Sequence, residues 1–288
     1  MTPLHGKTAL VTGSTDGVGR LVAKRLAEAG FHVYVHGRDR KRGQEVVAEI
    51  RSKGGAADFQ PADLSALAEV KGLARAVLDG TDRLDLLINN AGIGSGGTAG
   101  VRQTSRDGFE LRFAVNYLAG FALTRLLLPL LKESAPARIV NVSSLGQQAI
   151  DFSDVMLTRG YTGTRAYCQS KLAQILFTID LADELRGFGV TVNALHPATY
   201  MDTTMVRAAG VKPVSTVDEG GAAILQLALS PALAGRSGLY FNGMREARAN
   251  IQAYEAEARE RLRAISYELT GLVGDGASTK GSGDSPGM

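Results

Sequence analysis

The sequence is poor in cysteine and histidine, with one cysteine and four histidines among 288 residues. Cys168 has no partner for a disulfide within the chain, so we expect a reducing, cytoplasmic location. The spacing of the histidines does not match that of metal ligands, and we expect no metal site. A chain of this length can bury a large core without a disulfide or a metal site. The four histidines are His5, His32, His36 and His196.

An excess of one charge is also absent, since the net charge is only +3 although the pI is about 9.0. The densest basic run, at 38–42, is too short for a nucleic-acid-binding face. No stretch of about 20 uncharged apolar residues is present, and the most apolar run, 118–131, is interrupted by Arg125 and Pro129. The N-terminal segment lacks the layout of a signal peptide. We therefore predict no nucleic-acid partner, no membrane span, and a buried helix at 118–131.

Apolar segments rich in β-branched residues alternate with segments of helical periodicity. This alternation predicts a parallel sheet covered on both faces, with right-handed crossovers. The fold class is thus α/β, a single domain with a doubly wound, mostly parallel seven-stranded sheet of the Rossmann type. The predicted strands are 7–12, 31–36, 56–60, 84–88, 137–142, 189–195 and 238–241. The predicted helices are 18–29, 40–53, 65–79, 106–132, 164–186, 217–229 and 245–270. We place the catalytic domain at 1–272 and expect 273–288, rich in glycine and serine, to be disordered.

Glycine is abundant, with 35 residues, and three of them follow the first predicted strand in the segment TGSTDGVGR. Glycines permit a tight turn and let the backbone approach a pyrophosphate. The N-terminus of the next helix offers unpaired N–H groups and a partial positive charge. The segment therefore predicts a dinucleotide-binding loop. Its cofactor-binding residues are Gly13, Ser14, Thr15, Asp16, Gly17, Val18 and Gly19.

The end of the second strand favours NADP(H), although NAD(H) remains possible. An acidic residue there holds the ribose 2′-hydroxyl of NAD, whereas a basic residue suits the 2′-phosphate of NADP. Here the strand ends in His36, Gly37 and Arg38, and Arg20 adds a second cation nearby. The alternative is that Arg38 merely faces solvent.

Tyr167 and Lys171 lie one helical turn apart in the segment YCQSK. A nearby cation favours the tyrosinate, and a general acid or base works best with a pKa near the operating pH. The segments INNAG (88–92) and IVNVSS (139–144) end the fourth and fifth strands, at the ligand-facing edge of a parallel sheet. Ser144 could there hydrogen-bond a substrate oxygen. Each residue alone has a structural alternative, but the ordered set predicts a proton-transfer site.

These motifs together resemble the short-chain dehydrogenase/reductase family over about residues 5–270. The insert at 147–166 and the segment YCQSKLAQILFT resemble its retinol-dehydrogenase-like and protochlorophyllide-reductase-like branch. The resemblance implies an NAD(P)-dependent oxidoreductase acting on CH–OH groups. Members of the family are often dimers or tetramers, so a homodimer or a homotetramer stays open.

The resemblance also implies roles for individual residues. Tyr167 would donate or accept the proton, Ser144 would orient the carbonyl, and Lys171 would hold the nicotinamide ribose and lower the tyrosine pKa. Asn116 would continue a water relay to bulk solvent. The cofactor-binding residues outside the glycine loop would be Arg38, Asp63, Leu64, Asn90, Ala91, Gly92, Tyr167, Lys171, Pro197 and Thr199.

Two features depart from the family pattern. Pro197 is followed by Ala198 where the family usually has glycine, so a side chain lies where the backbone normally runs close to the carboxamide. The second departure is the separation of Ser144 and Tyr167 by 22 residues, more than in many members.

The substrate-facing parts are expected to be the insert and the segment 199–217. The second segment carries Tyr200, Met201, Met205 and Val206, which favour a hydrophobic ketone, aldehyde or secondary alcohol, unless they only pack the segment onto the core. Two other function classes stay open. One is an epimerase or dehydratase on the same scaffold, and the other is a non-catalytic NADP-binding sensor. A complete catalytic set argues against the sensor, since a pure binder has no need for it.

Overall fold

One eight-stranded sheet organises the chain in a computed structural model that describes residues 4–96 and 101–273. The strand order is β3-β2-β1-β4-β5-β6-β7-β8; β1 to β7 run parallel and β8 pairs antiparallel with β7. The strands are β1 Thr8–Val11, β2 His32–Gly37, β3 Ala56–Pro61, β4 Leu86–Asn89, β5 Ala137–Val142, β6 Val190–His196, β7 Tyr240–Asn242 and β8 Arg245–Ala247. The predicted doubly wound α/β fold is confirmed. The predicted tail lies outside the described residues, apart from Val273.

The predicted number of seven strands is wrong by one, because β8 occupies the start of the segment predicted as a helix at 245–270. Gly243 and Met244 form the two-residue turn before it, since Asn242 pairs with Arg245, and Gly243 has a φ of +58°, which glycine adopts without strain. Glycine at the first position of a two-residue loop is typical of a type II′ hairpin turn, so the sequence did contain a signal for this hairpin.

The helices follow the predicted order, with one change of type and one short helix, at 204–208, that was not predicted. They are α1 Gly17–Glu28, α2 Arg40–Ser52, α3 Leu67–Gly80, α4 Ala119–Glu133, α5 Gly163–Glu184, α6 Thr204–Ala208, α7 Val217–Leu229 and α8 Ala256–Thr270. The predicted helix at 106–132 begins late, because a bridge between Thr104 and Glu110 closes a turn there. It then opens with a π-helix at Phe113–Leu118 that continues into α4. π-Helical turns are frequent at functional sites.

Two hydrophobic cores lie on opposite faces of the sheet. Leu10 and Leu87 point into the core that α3, α4, α5 and α8 cover, whereas Val11 and Ile88 point into the core beneath α1, α2 and α7. Alternate residues of a strand face opposite sides, so neighbours in one strand separate in this way. The carboxyl ends of the parallel strands consequently form one edge that is free to carry a site.

The apolar helix predicted to be buried does lie in the core. By length and composition, Phe113–Glu133 could cross a membrane, but 72% of its most apolar window is buried inside the fold. Arg125 lies between the rings of Phe121, Phe177 and Tyr267 and pairs with Glu184 at 2.6 Å. Burial disfavours the charged guanidinium, but the Glu184 carboxylate outweighs this and raises the pKa of Arg125. The charge of the arginine that interrupts the apolar run is therefore paired within the protein, while its buried Nε and Nη2 have no hydrogen-bond partner among the described residues.

Candidate active site

The glycine loop between β1 and α1 is braced by a buried histidine that the sequence reasoning did not single out. The Gly13 amide donates to Nδ1 of His36 at 3.0 Å, and the His36 amide donates to Oγ of Ser14 at 2.9 Å. Burial lowers the pKa of His36 to about 4, so the imidazole is neutral and can accept. Ser14 is fully buried and also donates to the Val11 carbonyl at 2.7 Å, which makes it a support of the loop. No motif marks His36 for this role.

The loop is held close to the start of α1 and to the end of β4. Nδ2 of Asn90 donates to the carbonyls of Thr12 at 2.8 Å and Gly13 at 3.1 Å. A Cβ on Gly19 would overlap both the Gly13 oxygen and the Asn90 amide, so only glycine fits. A Cβ on Gly13 would lie 2.8 Å from Cα of Ala91. The predicted loop residues are therefore together with Asn90 and Ala91 at one edge.

The first turn of α1 fits an anionic group. Asp16 caps the helix, and its carboxylate accepts the Gly17 amide at 2.7 Å. The amides of Val18 and Gly19 follow in the first turn, where a helix has no intrahelical acceptor. Together with the close-fitting glycines, this makes a cradle of backbone N–H groups suited to a pyrophosphate. Thr15, in the same loop, lies against the end of β2, since a Cβ on Gly37 would be 2.7 Å from Oγ1 of Thr15.

Two arginines near the end of β2 were predicted to attract the cofactor phosphate, and only one of them, Arg38, is available for it. Arg20 pairs with Glu49, so the second cation of the sequence argument is already neutralised. Arg38 is exposed and acts electrostatically on Asp63. Burial raises the pKa of Asp63, but the Ser65 hydrogen bonds and the two arginines Arg38 and Arg106 outweigh it, and the net pKa lies below its usual value. Leu64 is buried beside Asp63.

Ser144 and Tyr167 face each other at the end of β5, as predicted. A Cβ on Gly146 would lie 3.5 Å from Oγ of Ser144 and 3.6 Å from Cε1 of Tyr167, and the Ser144 hydroxyl accepts the Gly146 amide at 3.0 Å. Burial raises the pKa of Tyr167, and the nearby Ser144 hydroxyl lowers it only in part. The expected lowering by Lys171 is therefore not the dominant effect in this structure, and the phenol is protonated at neutral pH. Of the two serines, Ser143 donates to the Lys171 carbonyl at 2.7 Å and has a structural role.

Lys171 lies buried below the tyrosine ring. Its Nζ is 5.9 Å from the centroid of the Tyr167 ring and donates to the Val142 carbonyl at 2.9 Å and to Oε1 of Gln174 at 3.0 Å. Burial lowers the pKa of Lys171 to about 8. A Cβ on Gly92 would lie 3.4 Å from Nζ, so the ammonium borders the cleft at the end of β4.

Asn116 links the loop after β4 to α5. Its Oδ1 accepts the Ile93 amide at 2.7 Å, and its Nδ2 donates to the Ile93 carbonyl at 3.1 Å and to Oγ of Ser170 at 3.0 Å. Both amide protons are thereby used within the protein. The π-helix turns this side chain toward the cleft, where it positions the neighbourhood of Gly92. The relay role that the family resemblance implied stays a prediction.

The segment after β6 crosses the cleft above the glycine loop. Oγ1 of Thr199 lies 3.0 Å from Nε2 of His196, which places the turn at Pro197 and Ala198 on the end of the strand. A Cβ on Gly17 would lie 3.3 Å from Cγ2 of Thr203, and one on Gly94 would lie 3.5 Å from Cγ of Met205. Residues 199–217 therefore cover the same edge to which the predicted site residues converge.

A buried ionic cluster, missed by the sequence reasoning, fixes the insert onto this edge. Arg112 donates to the Tyr161 hydroxyl at 2.7 Å and to the Gly94 carbonyl at 3.0 Å, and it lies 3.5 Å from the Glu110 carboxylate. The Tyr161 hydroxyl donates to Glu110 at 3.2 Å. Arg112 falls inside the segment predicted as a helix at 106–132, and the helical period gave no signal for the cluster.

Comparison with known proteins agrees with this geometry. The sequence model described as "short chain dehydrogenase" matches residues 7–212. Human retinol dehydrogenase 13 is 37% identical over 93% of this chain and 86% of its own length. Human retinol dehydrogenase 12 is 37% identical over 93% of this chain and 88% of its own length.

Solved structures with the same fold include nucleotide complexes. An uncharacterized protein from Mycobacterium paratuberculosis matches with a TM-score of 0.76 and 29% identity over 93% of this chain and 94% of its own. The RhlG/NADP active-site complex from Pseudomonas aeruginosa matches with a TM-score of 0.69 and 30% identity, covering 84% of this chain and 97% of its own. A short chain dehydrogenase from Burkholderia cenocepacia in complex with NADP has a TM-score of 0.68 at 29% identity, over 84% and 97% of the two chains.

Proposed function

The chain belongs to the short chain dehydrogenase family and is an NAD(P)-dependent oxidoreductase of CH–OH groups, and we propose that it is an NADP(H)-dependent, retinol-dehydrogenase-like member acting on hydrophobic carbonyls or alcohols. Tyr167 is its general acid and base. The observation that carries this proposal is that the Ser144 hydroxyl and the Tyr167 ring converge at the end of β5, one helical turn from the buried Lys171.

Proton transfer follows from the arrangement of these three side chains. The bound cofactor supplies hydride to a carbonyl carbon, or accepts it from an alcohol. Tyr167, protonated at neutral pH because burial raises its pKa, donates its proton to the carbonyl oxygen. Ser144 accepts the Gly146 amide and so keeps its own proton for that oxygen. Lys171 donates to Val142 and Gln174, and its third ammonium proton would hold a ribose hydroxyl of the cofactor. A protonated phenol and a protonated serine hydroxyl are the states from which carbonyl reduction starts, whereas alcohol oxidation would start from the tyrosinate.

Preference for NADPH is expected to depend on Arg38. Replacing Arg38 with alanine should lower kcat/KM for NADPH by about 10- to 100-fold, because a hydrogen bond to a charged group contributes about 1.5–3 kcal/mol. Activity with NADH, which has no 2′-phosphate, should change little. The measurement is the ratio of kcat/KM for the two coenzymes. Arg40→Ala, an exposed arginine two residues away, is the matched control. A wild-type preference for NADH would contradict the proposal.

A hydrophobic substrate is supported by exposed apolar side chains at the carboxyl edge of the sheet. Leu145 follows Ser144 directly, and Tyr200 and Met205 belong to the segment that crosses the cleft; all three are exposed. Ligand sites are lined predominantly by apolar side chains with a few polar groups that fix the orientation of the ligand. The relatives' name, retinol dehydrogenase, refers to a hydrophobic alcohol, which agrees with this interpretation.

A carbonyl panel with NADPH tests both the reaction and the substrate class. We expect apolar ketones and aldehydes to be reduced, with a net fall in nicotinamide absorbance, and small charged carbonyls to react poorly. Met205→Asp should raise KM for the apolar substrates by about tenfold, because it replaces an apolar contact that contributes about 1–2 kcal/mol with a charged side chain. Leu78→Asp, at an exposed site on α3, is the control. Preferential turnover of charged substrates would contradict the apolar site.

Turnover without a net change in nicotinamide absorbance would instead indicate an epimerase or a dehydratase. NADPH binding without turnover of any carbonyl would favour the sensor. The cytoplasmic location and the homodimer or homotetramer stay predictions from the sequence.

A further inference from the structure

Gln174 lies one turn after Lys171 on α5 and contacts its ammonium directly. We propose that Gln174 is a positioning residue: its Oε1 and the Val142 carbonyl hold two protons of the Lys171 ammonium and leave the third for the cofactor ribose. Both side chains are buried, with 4% exposure for Gln174 and 5% for Lys171. The inference rests on the proposed NADP(H)-dependent function.

The count of donors supports this assignment. An ammonium has three N–H donors, and the two hydrogen bonds of 2.9 and 3.0 Å use two of them. The remaining donor borders the cleft, because Nζ lies 3.4 Å from the place where a Cβ on Gly92 would stand. Without Gln174 the flexible lysine side chain could rotate its ammonium away from that direction.

The electrostatic surroundings of Lys171 contain no carboxylate partner in the ranges the structure describes. The titratable groups that face the ammonium are Tyr167, on the same helix, and His196, at the end of β6. Burial and the charge of Lys171 lower the pKa of His196 to about 4, so this imidazole is neutral. Asn116 borders the same space as a neutral amide. Gln174 and Val142 are therefore the two acceptors that stabilise the buried charge against desolvation.

Two substitutions of Gln174 should move the titration of Lys171 in opposite directions. Gln174→Glu keeps the shape and adds a negative charge, which should raise the Lys171 midpoint by about 1–3 pH units. Gln174→Leu keeps the volume and removes the acceptor, which should lower the midpoint. The midpoint is read from the Cε resonance in protein labelled with [¹³Cε]lysine, without cofactor or substrate, and is assigned by its loss in Lys171→Met. Gln44→Glu, exposed on α2 across the sheet, is the charge control.

A second readout is the Kd for NADPH at pH 7, measured by fluorescence titration. Gln174→Leu should weaken binding by about fivefold, the loss of roughly 1 kcal/mol for one misplaced hydrogen bond, and Gln174→Glu should not. Equal shifts of the Lys171 midpoint in both variants, or none, would mean that Gln174 only packs, and would overturn the inference. Lack of NADPH binding by the wild-type protein would contradict the proposed function instead, while opposite midpoint shifts would still support the Gln174–Lys171 pair.

Discussion

Replacing Tyr167 with phenylalanine is expected to lower kcat by about 10²- to 10⁴-fold, the usual contribution of a positioned proton donor. The substitution removes one oxygen atom and keeps the ring, so the packing around α5 is preserved. NADPH should still bind with a Kd within about threefold of the wild-type value, equivalent to less than 1 kcal/mol. Steady-state kinetics with an active carbonyl and a fluorescence titration of NADPH provide the two measurements.

The matched control for this substitution is Tyr254→Phe. Tyr254 is exposed after β8, and its hydroxyl accepts the Ala249 amide at 3.0 Å. Removing that hydroxyl should leave kcat nearly unchanged. A fully active Tyr167→Phe protein would show that the proton comes from elsewhere. Equal losses in both variants would indicate a general dependence on folding rather than proton transfer.

The order of strands and helices could be predicted because it depends on local patterns. Most of the parallel strands are apolar runs such as Leu86–Asn89, and most helices have their own period and terminal residues, for example Gly30 after α1. Parallel topology then brings the ends of β1, β4, β5 and β6 to one edge. This is why residues as distant in sequence as Gly13 and Tyr167 could be assigned to one site.

The remaining features depend on contacts that no local pattern encodes. The neutral state of His36 follows from its burial against the glycine loop, and the Arg112 cluster joins three separate segments. The balance of pKa effects at Tyr167 is also nonlocal. From sequence, the lysine one turn away is the obvious influence, but the depth of burial decides the direction. The spacing of residues in the sequence predicts which groups lie next to a proton-transfer residue. The direction in which the pKa of that residue shifts can be derived only from the packed structure.

The second large effect is expected at the glycine loop, because the loop can keep its shape only if residue 19 has no side chain. Gly19 lies in the first turn of α1, directly against the Gly13 carbonyl and the Asn90 amide. The Gly13 carbonyl is part of the backbone and cannot rotate away. An added methyl group must therefore move α1 or the loop, and either movement separates the first-turn amides from the place of a pyrophosphate.

We therefore expect Gly19→Ala to raise the Kd for NADPH by more than about 100-fold, equivalent to roughly 3 kcal/mol. Overpacking of this kind should also lower the free energy of unfolding by about 1–3 kcal/mol. Gly72→Ala on α3 is the control, because its Cβ would meet nothing within 4 Å. Alanine in an open helical position should stabilise the protein by about 0.5–1 kcal/mol and leave NADPH binding intact. Fluorescence titration and urea unfolding of the two variants separate cofactor binding from stability. Normal NADPH affinity in Gly19→Ala would mean that the dinucleotide does not bind at this loop, and the nicotinamide could then not reach Tyr167.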